Sequence, residues 1–291
     1  MPEHEHGQLV SGQEVNGILR RVGSPLWLVL ALALAPGPAL GADVPALVLA
    51  RQLYNRGQFA EAAKAALPAR ASPATRDAAD LVIGRARLEL FRQTAADADL
   101  AAAREALGAV RPQELPPRDR VELLTGLGTV LFLENAFGAA ASIFEVALAA
   151  PDGPDGAARE WLFDWWASAV DRHAQVHPPE ARLDLYLRIV EAAEAEMRRP
   201  RVTAAAIYWQ AAALVARGDA DGAYQAAQAG WVRAPFNPDQ AASLRTDLDR
   251  LVRDGVIPDR VRRIADVDPE HAAESLRAEW TRFKSSWAPK Q

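Results

Sequence analysis

Cysteine is absent from all 291 residues of the chain. That excludes a disulfide framework, a thiolate nucleophile and any zinc site built on cysteine sulfur. Lysine stands only at Lys64, Lys284 and Lys290, so nearly all of the 33 basic residues are arginine, a bias that reads as genome composition. No run alternates polar with β-branched residues for long enough to argue a strand. Long hydrophobic runs are missing too: residues 26–35 form an apolar run of ten, about half of the roughly 20 that a spanning helix needs. Positive charge is not in excess. The formal net charge of -5 gives a nucleic-acid backbone no electrostatic reason to bind. What remains, 50% hydrophobic and 24% charged residues, is enough to bury a sizeable core and is the composition of a folded, soluble protein.

The amino terminus reads as a targeting segment. Arg20 and Arg21 precede the apolar run, Pro36-Gly37-Pro38 stops it, and the small residues Ala39, Gly41 and Ala42 follow. Basic, apolar, small is the order of a secretory signal. Cleavage is expected near Gly41 or Ala42, leaving residues 1–42 as a leader, no stable membrane span, and a mature chain in the periplasm or cell envelope. Residues 1–18 are polar, carry Glu3, Glu5 and Glu14, and make this leader long; a translation start near Val15, Leu19 or Val22 would shorten it. If the leader is not functional, the chain stays in the cytoplasm.

The rest of the chain is governed by a spacing that recurs three times. A small residue is followed by a second twelve places later, a third nineteen places later, and then proline: Ala50, Ala62, Ala69, Pro73; Gly128, Ala140, Ala147, Pro151; Ala211, Ala223, Gly230, Pro235. Two helices that cross closely need small residues at the crossing, and a proline soon after ends the second one, so the spacing describes stacked antiparallel hairpins. Apolar residues three and four apart fill the segments between, as in Leu81, Gly84, Leu88, Phe91 and in Leu100, Ala103, Leu107, Val110. The sequence Pro151-Asp152-Gly153-Pro154-Asp155-Gly156 is the strongest local break. Helices are also expected to begin near Pro178-Pro179, Pro238, Pro258 and Pro269. In the last of them Asp268 caps, and Ala273, Leu276, Trp280, Phe283 and Trp287 make one apolar stripe. The fold class is all-α.

The hairpins resemble tetratricopeptide repeats, most closely over residues 124–151 with Leu127-Gly128, Phe137, Ala140, Phe144, Ala147 and Pro151. Residues 57–62 match through Gly57, Phe59 and Ala62, and residues 211–235 through Ala211, Gly218, Ala223, Ala227, Gly230 and Pro235, with Ala220 where the family has an aromatic. Key positions advance by 78 residues from Ala50 to Gly128 and by 83 from Gly128 to Ala211, against about 68 for two standard repeats, so one enlarged, degenerate hairpin fits in each gap. The resemblance implies a right-handed α-solenoid over residues 43–235, of the kind exported bacterial proteins carry, closed by capping helices over residues 236–291.

Such a solenoid binds protein or peptide segments in its concave groove. By the resemblance the groove is lined by Glu122, Thr125, Thr129, Phe132 and Leu133, by Trp161, Asp164, Ser168, Asp171 and Arg172, and by Tyr208. Trp161, Trp165 and Trp166 have two readings, core packing or binding surface. The paired lysines and asparagines with which cytosolic members grip a carboxyl-terminal peptide do not stand at these positions. His173 and His177, four apart, are the sole pair with ligand spacing and have no third partner in sequence, so no metal is implied. No phosphate-cradling loop, nucleophile elbow or cofactor fingerprint occurs, and no cofactor or catalytic residue is assigned. The expected role is therefore a non-catalytic adaptor. A structural subunit of an envelope complex, docked through Trp280, Phe283 and Trp287, and an enzyme with an unrecognised site are the alternatives.

Overall fold

Apolar residues at helical spacing, little glycine inside the segments and prolines confined to their edges make the described part of this chain helical. The computed structural model describes residues 43–199, 203–265 and 267–287, and the expected leader lies outside them. The helices are α1 (Asp43–Asn55), α2 (Phe59–Ala66), α3 (Arg76–Thr94), α4 (Asp97–Gly108), α5 (Pro117–Leu133), α6 (Phe137–Ala149), α7 (Gly156–Gln175), α8 (Pro179–Met197), α9 (Ala204–Ala216), α10 (Ala220–Arg233), α11 (Ala241–Leu251), α12 (Ile257–Val261) and α13 (Pro269–Ser286). Among the described residues there is no strand.

Local chemistry sets the helix ends. Pro117, Pro179 and Pro269 open α5, α8 and α13, where a missing N–H costs nothing. Thr203, Asp219 and Asp268 cap α9, α10 and α13 by accepting from the N–H of Ala206, Gly222 and His271 at 3.1, 2.9 and 2.9 Å. The turns after α1, α3, α5 and α9 each pass through a left-handed residue: Gly57 (φ 74°), Ala95 (φ 55°), Asn135 (φ 62°) and Gly218 (φ 78°). Two of the four are glycine, which reaches this region without steric cost.

An α-helical segment begins at Ile257, beside Pro258, as expected. That segment is continuous with α11, which runs into α12 through a π-helical turn at Val252–Val256. A proline ring clashes with the carbonyl four residues back, and a wider turn just before it relieves that clash without breaking the helix.

The chain divides into two compact units at Glu134/Asn135, a boundary that falls within the segment expected to be the best-formed repeat. In the first unit consecutive helices α1, α2, α3 and α4 pack on one another in order, and α3 also packs on α1 and α5. Its core includes one cluster with Leu47, Ala50, Ala79 and Val82 and another with Leu81, Leu88, Leu107, Leu123 and Val130. Leu107 of α4 sits between two glycines. A Cβ on Gly84 of α3 would fall 2.7 Å from Leu107 Cδ2, and one on Gly126 of α5 would fall 3.0 Å from Leu107 Cδ1.

In the second unit α6, α7, α8, α9 and α10 pack in the same consecutive order, with next-but-one contacts between α7 and α9 and between α9 and α11. The last helices share a core with α9 and α10 that includes Ile207, Ala211, Ala223, Tyr224, Leu248 and Trp280. Trp280 is 1% exposed. Its ring meets Tyr224 at 5.8 Å, Trp231 at 5.5 Å and Phe283 at 5.5 Å, and its Nε1 donates to Asp249 at 2.9 Å. The apolar stripe of α13 is thus turned inward, and Trp287 is the member that remains exposed. All nine small residues of the recurring spacing are buried.

Candidate functional site

The tryptophan-rich helix α7 divides its side chains cleanly. Leu162, Phe163, Trp165, Trp166, Ala169 and Val170 are buried, while Trp161, Asp164, Ser168, Asp171 and Arg172 are each half-buried. The second set recurs at three- and four-residue steps and so occupies one face. Trp165 packs edge-on against Phe144 of α6 at 6.2 Å, and Trp166 lies against Phe163 at 5.3 Å. These two rings are core. Trp161 leans on Trp165 at 4.9 Å with the planes 37° apart and keeps part of its surface in solvent.

Carboxylates of α7 tie that face to its neighbours. Asp164 accepts from Trp209 Nε1 of α9 at 2.7 Å, and Glu160 accepts from the backbone N–H of Ala205, in the first turn of α9, at 2.9 Å. Asp171 accepts from the hydroxyl of Tyr186 on α8 at 2.9 Å and from Gln175 Nε2 at 2.9 Å. Burial pushes the Glu160 carboxyl above its ordinary range even though the backbone N–H groups of Ala205 and Ala204 pull it down. Burial, reinforced by the Asp171 charge, likewise raises the Tyr186 hydroxyl. Tyr208, half-buried on α9, stands edge-on to Trp209 at 5.6 Å. The second unit therefore presents Trp161, Asp164, Ser168, Asp171 and Arg172 on α7 and Tyr208 on α9, two helices in contact.

Glu122, Thr125, Thr129, Phe132 and Leu133 belong to α5 in the first unit. Glu122 is 3% exposed and ion-paired with Arg85 of α3, whose guanidinium lies 4.8 Å over the ring of Tyr54 on α1. Arg118 Nε stands 3.9 Å from the same carboxylate. Thr129 and Phe132 are buried; Thr125 and Leu133 are half-buried. The threonine hydroxyls bond back to the helix, Thr125 to Val121 O at 2.9 Å and Thr129 to Thr125 O at 2.8 Å. Glu122, Thr129 and Phe132 thus offer little side chain to solvent, a departure from the expected groove. For Glu122 the reason is electrostatic: it pairs with the Arg85 guanidinium, which itself sits over the Tyr54 ring.

Neither a family model, nor a curated protein, nor a solved structure matches this chain. Its chemistry rests on its own geometry.

His173 and His177 face each other with ring centroids 4.2 Å apart, and His177 Nδ1 lies 2.8 Å from His173 O. Burial, with His177 and Arg188 nearby, lowers the pKa of His173. Its ring fills the space above Gly138, where a Cβ would come within 2.8 Å. Among the described residues no group of three or more His, Asp or Glu is placed to hold a metal ion, and no helix is long and apolar enough to cross a membrane. Sequence reasoning missed Glu160 and Tyr186. The spacing of Glu160 and Asp164 put both on the Trp161 face, but which neighbouring donor each would meet depends on how α8 and α9 pack.

Proposed function

We propose that this chain is an exported, non-catalytic scaffold whose units are short right-handed solenoids of tetratricopeptide-like hairpins, and that it holds a protein or peptide segment along the face shared by α7 and α9. One observation carries the reading: Trp161 and Tyr208 stand part-exposed on touching helices, and acids between them fix their supports through Trp209 and the start of α9. Anchored aromatics of this kind contribute large contact area at little cost in side-chain entropy. The next-but-one contacts of α1 with α3, α3 with α5, α7 with α9 and α9 with α11 support the solenoid reading, because stacked hairpins bring every second helix into one layer.

A photoreactive residue at Ser168 of the full chain, activated in intact cells, tests this. Crosslinks to a polypeptide that disappear in Trp161→Ala and Tyr208→Ala, with unchanged melting of both variants, are expected. Absence of a crosslink, or crosslinks indifferent to both substitutions, would overturn it. The mass of the mature amino terminus tests export: a chain beginning near residue 42 or 43 is expected, and an intact leader refutes it.

A further inference from the structure

Between α6, α7 and α8, on the other side of α7 from Trp161, lies a cavity of about 230 Å³ walled by Leu148, Phe163 and Trp166 and bordered by Arg159, Glu196 and Arg199. At roughly 30 Å³ per water it has room for a ring and a short acidic tail, less than a drug-sized ligand needs. Its charges do not balance. Arg159 is bonded through each of its three nitrogens, donating from Nε and Nη2 to Glu196 at 2.7 and 2.8 Å and from Nη1 to Leu148 O at 2.9 Å. Arg199 Nε lies 3.6 Å from the same carboxylate, and its side chain is 48% exposed. Two guanidiniums on one carboxylate leave one positive charge in surplus at the rim. Glu145, the other acid in the wall, does not cancel it, because it is ion-paired with Arg188, whose guanidinium stands 5.8 Å over the Trp166 ring. Trp166, 2% exposed, closes the inner wall of the cavity.

We propose that this cavity binds a small monoanion with an apolar body, a hydrophobic carboxylate whose ring or chain lies against Phe163 and Trp166 and whose charge meets Arg199. The site is separate from the α7–α9 face and holds whether or not that face binds a polypeptide. The same chemistry is presented by a free carboxylic acid and by the carboxyl terminus of a chain that ends in an apolar residue.

Calorimetric titration of the full chain decides, with 3-phenylpropionate, its neutral counterpart 3-phenylpropanol, and an acetylated Gly-Gly-Phe peptide bearing either a free or an amidated terminus. The acid is expected to bind about tenfold more tightly than the alcohol, the difference that one charge-assisted contact makes. Arg199→Gln, at an exposed position, should bring the acid to the level of the alcohol and leave the alcohol unchanged. A free-acid peptide that outbinds phenylpropionate, with its amide inert, assigns the ligand to a chain terminus, and the reverse order assigns it to a small molecule. No binding at millimolar concentration, equal affinity for acid and alcohol, or indifference to Arg199→Gln overturns the proposal. Trp161→Ala should not change this binding, which separates it from the scaffold reading.

Discussion

Replacing Gly84 by alanine should destabilise the protein, although alanine is the better helix former. The gain in helix propensity is about 0.8–1 kcal/mol. Against it stands the new methyl, 2.7 Å from Leu107 Cδ2 and nearer still to Leu107 Cγ, with Ala103 O at 3.3 Å. Leu107 is 1% exposed and is also met closely by Gly126, so neither branch has open space to retreat into. Overpacking a closed site of this kind costs about 1–3 kcal/mol, and the net loss should be about 1 kcal/mol or more. Gly108, at the exposed end of α4 with nothing within 4 Å of its Cβ position, supplies the control. Gly108→Ala should be neutral or stabilising by a few tenths of a kcal/mol. Urea unfolding followed by far-ultraviolet circular dichroism measures both. Leu107→Ala alone should cost about 2–5 kcal/mol, and the Gly84→Ala/Leu107→Ala pair about 1 kcal/mol less than the sum of the singles, because the added methyl then occupies vacated space. Gly84→Ala as stable as Gly108→Ala, or additivity within about 0.5 kcal/mol, would refute the close-crossing argument.

Ala95 occupies the left-handed region at the end of α3, where an L side chain costs about 1–2 kcal/mol. Ala95→Gly should therefore stabilise by about 0.5–1 kcal/mol in the same urea assay, and a loss would show that the turn is not the one described. Glu122→Ala leaves the Arg85 guanidinium buried beside Tyr54 with its main partner gone, so it should cost about 3–5 kcal/mol, whereas Glu122→Gln should cost less. Burial raises Tyr54 and Tyr224 to about 12, and Tyr186 is raised as well. The folded chain holds these protons more tightly than the unfolded one, so their contribution is complete below about pH 10 and is lost as pH rises toward 12. Absorbance at 295 nm should show most of the phenolate appearing only near pH 12 together with loss of ellipticity; full ionisation near pH 10 in a chain that stays folded would contradict their burial.

Helix positions were legible because they depend on local chemistry. Gly57 and Gly218 marked two of the left-handed turns. Ala95 and Asn135 make turns of the same kind without a glycine to announce them. The small residues at Ala50, Ala140 and Ala211 were readable as crossing points, and all are buried. What the sequence did not reveal is partnership across helices. Glu122 has the spacing of a groove residue, yet Arg85, 37 positions earlier, draws it inside. The three tryptophans within six residues were ambiguous for the same reason: the α-helical period separates Trp161 from Trp165 and Trp166 by angle, but only the approach of Phe144 decides which angle is buried. The inward turn of the α13 stripe follows from Tyr224 and Trp231, two aromatics on α10 that no short-range pattern connects to Trp280.

The attachment of Trp209 to Asp164 means that one carboxylate serves two masters. A cationic or N–H group arriving from solvent at Asp164 competes with the indole that helps to fasten α9 to α7. Engagement and fastening draw on the same oxygens, so whatever loosens one helix against the other must change how readily a visitor is received, and by thermodynamic reciprocity a visitor must alter that seam by the same free energy.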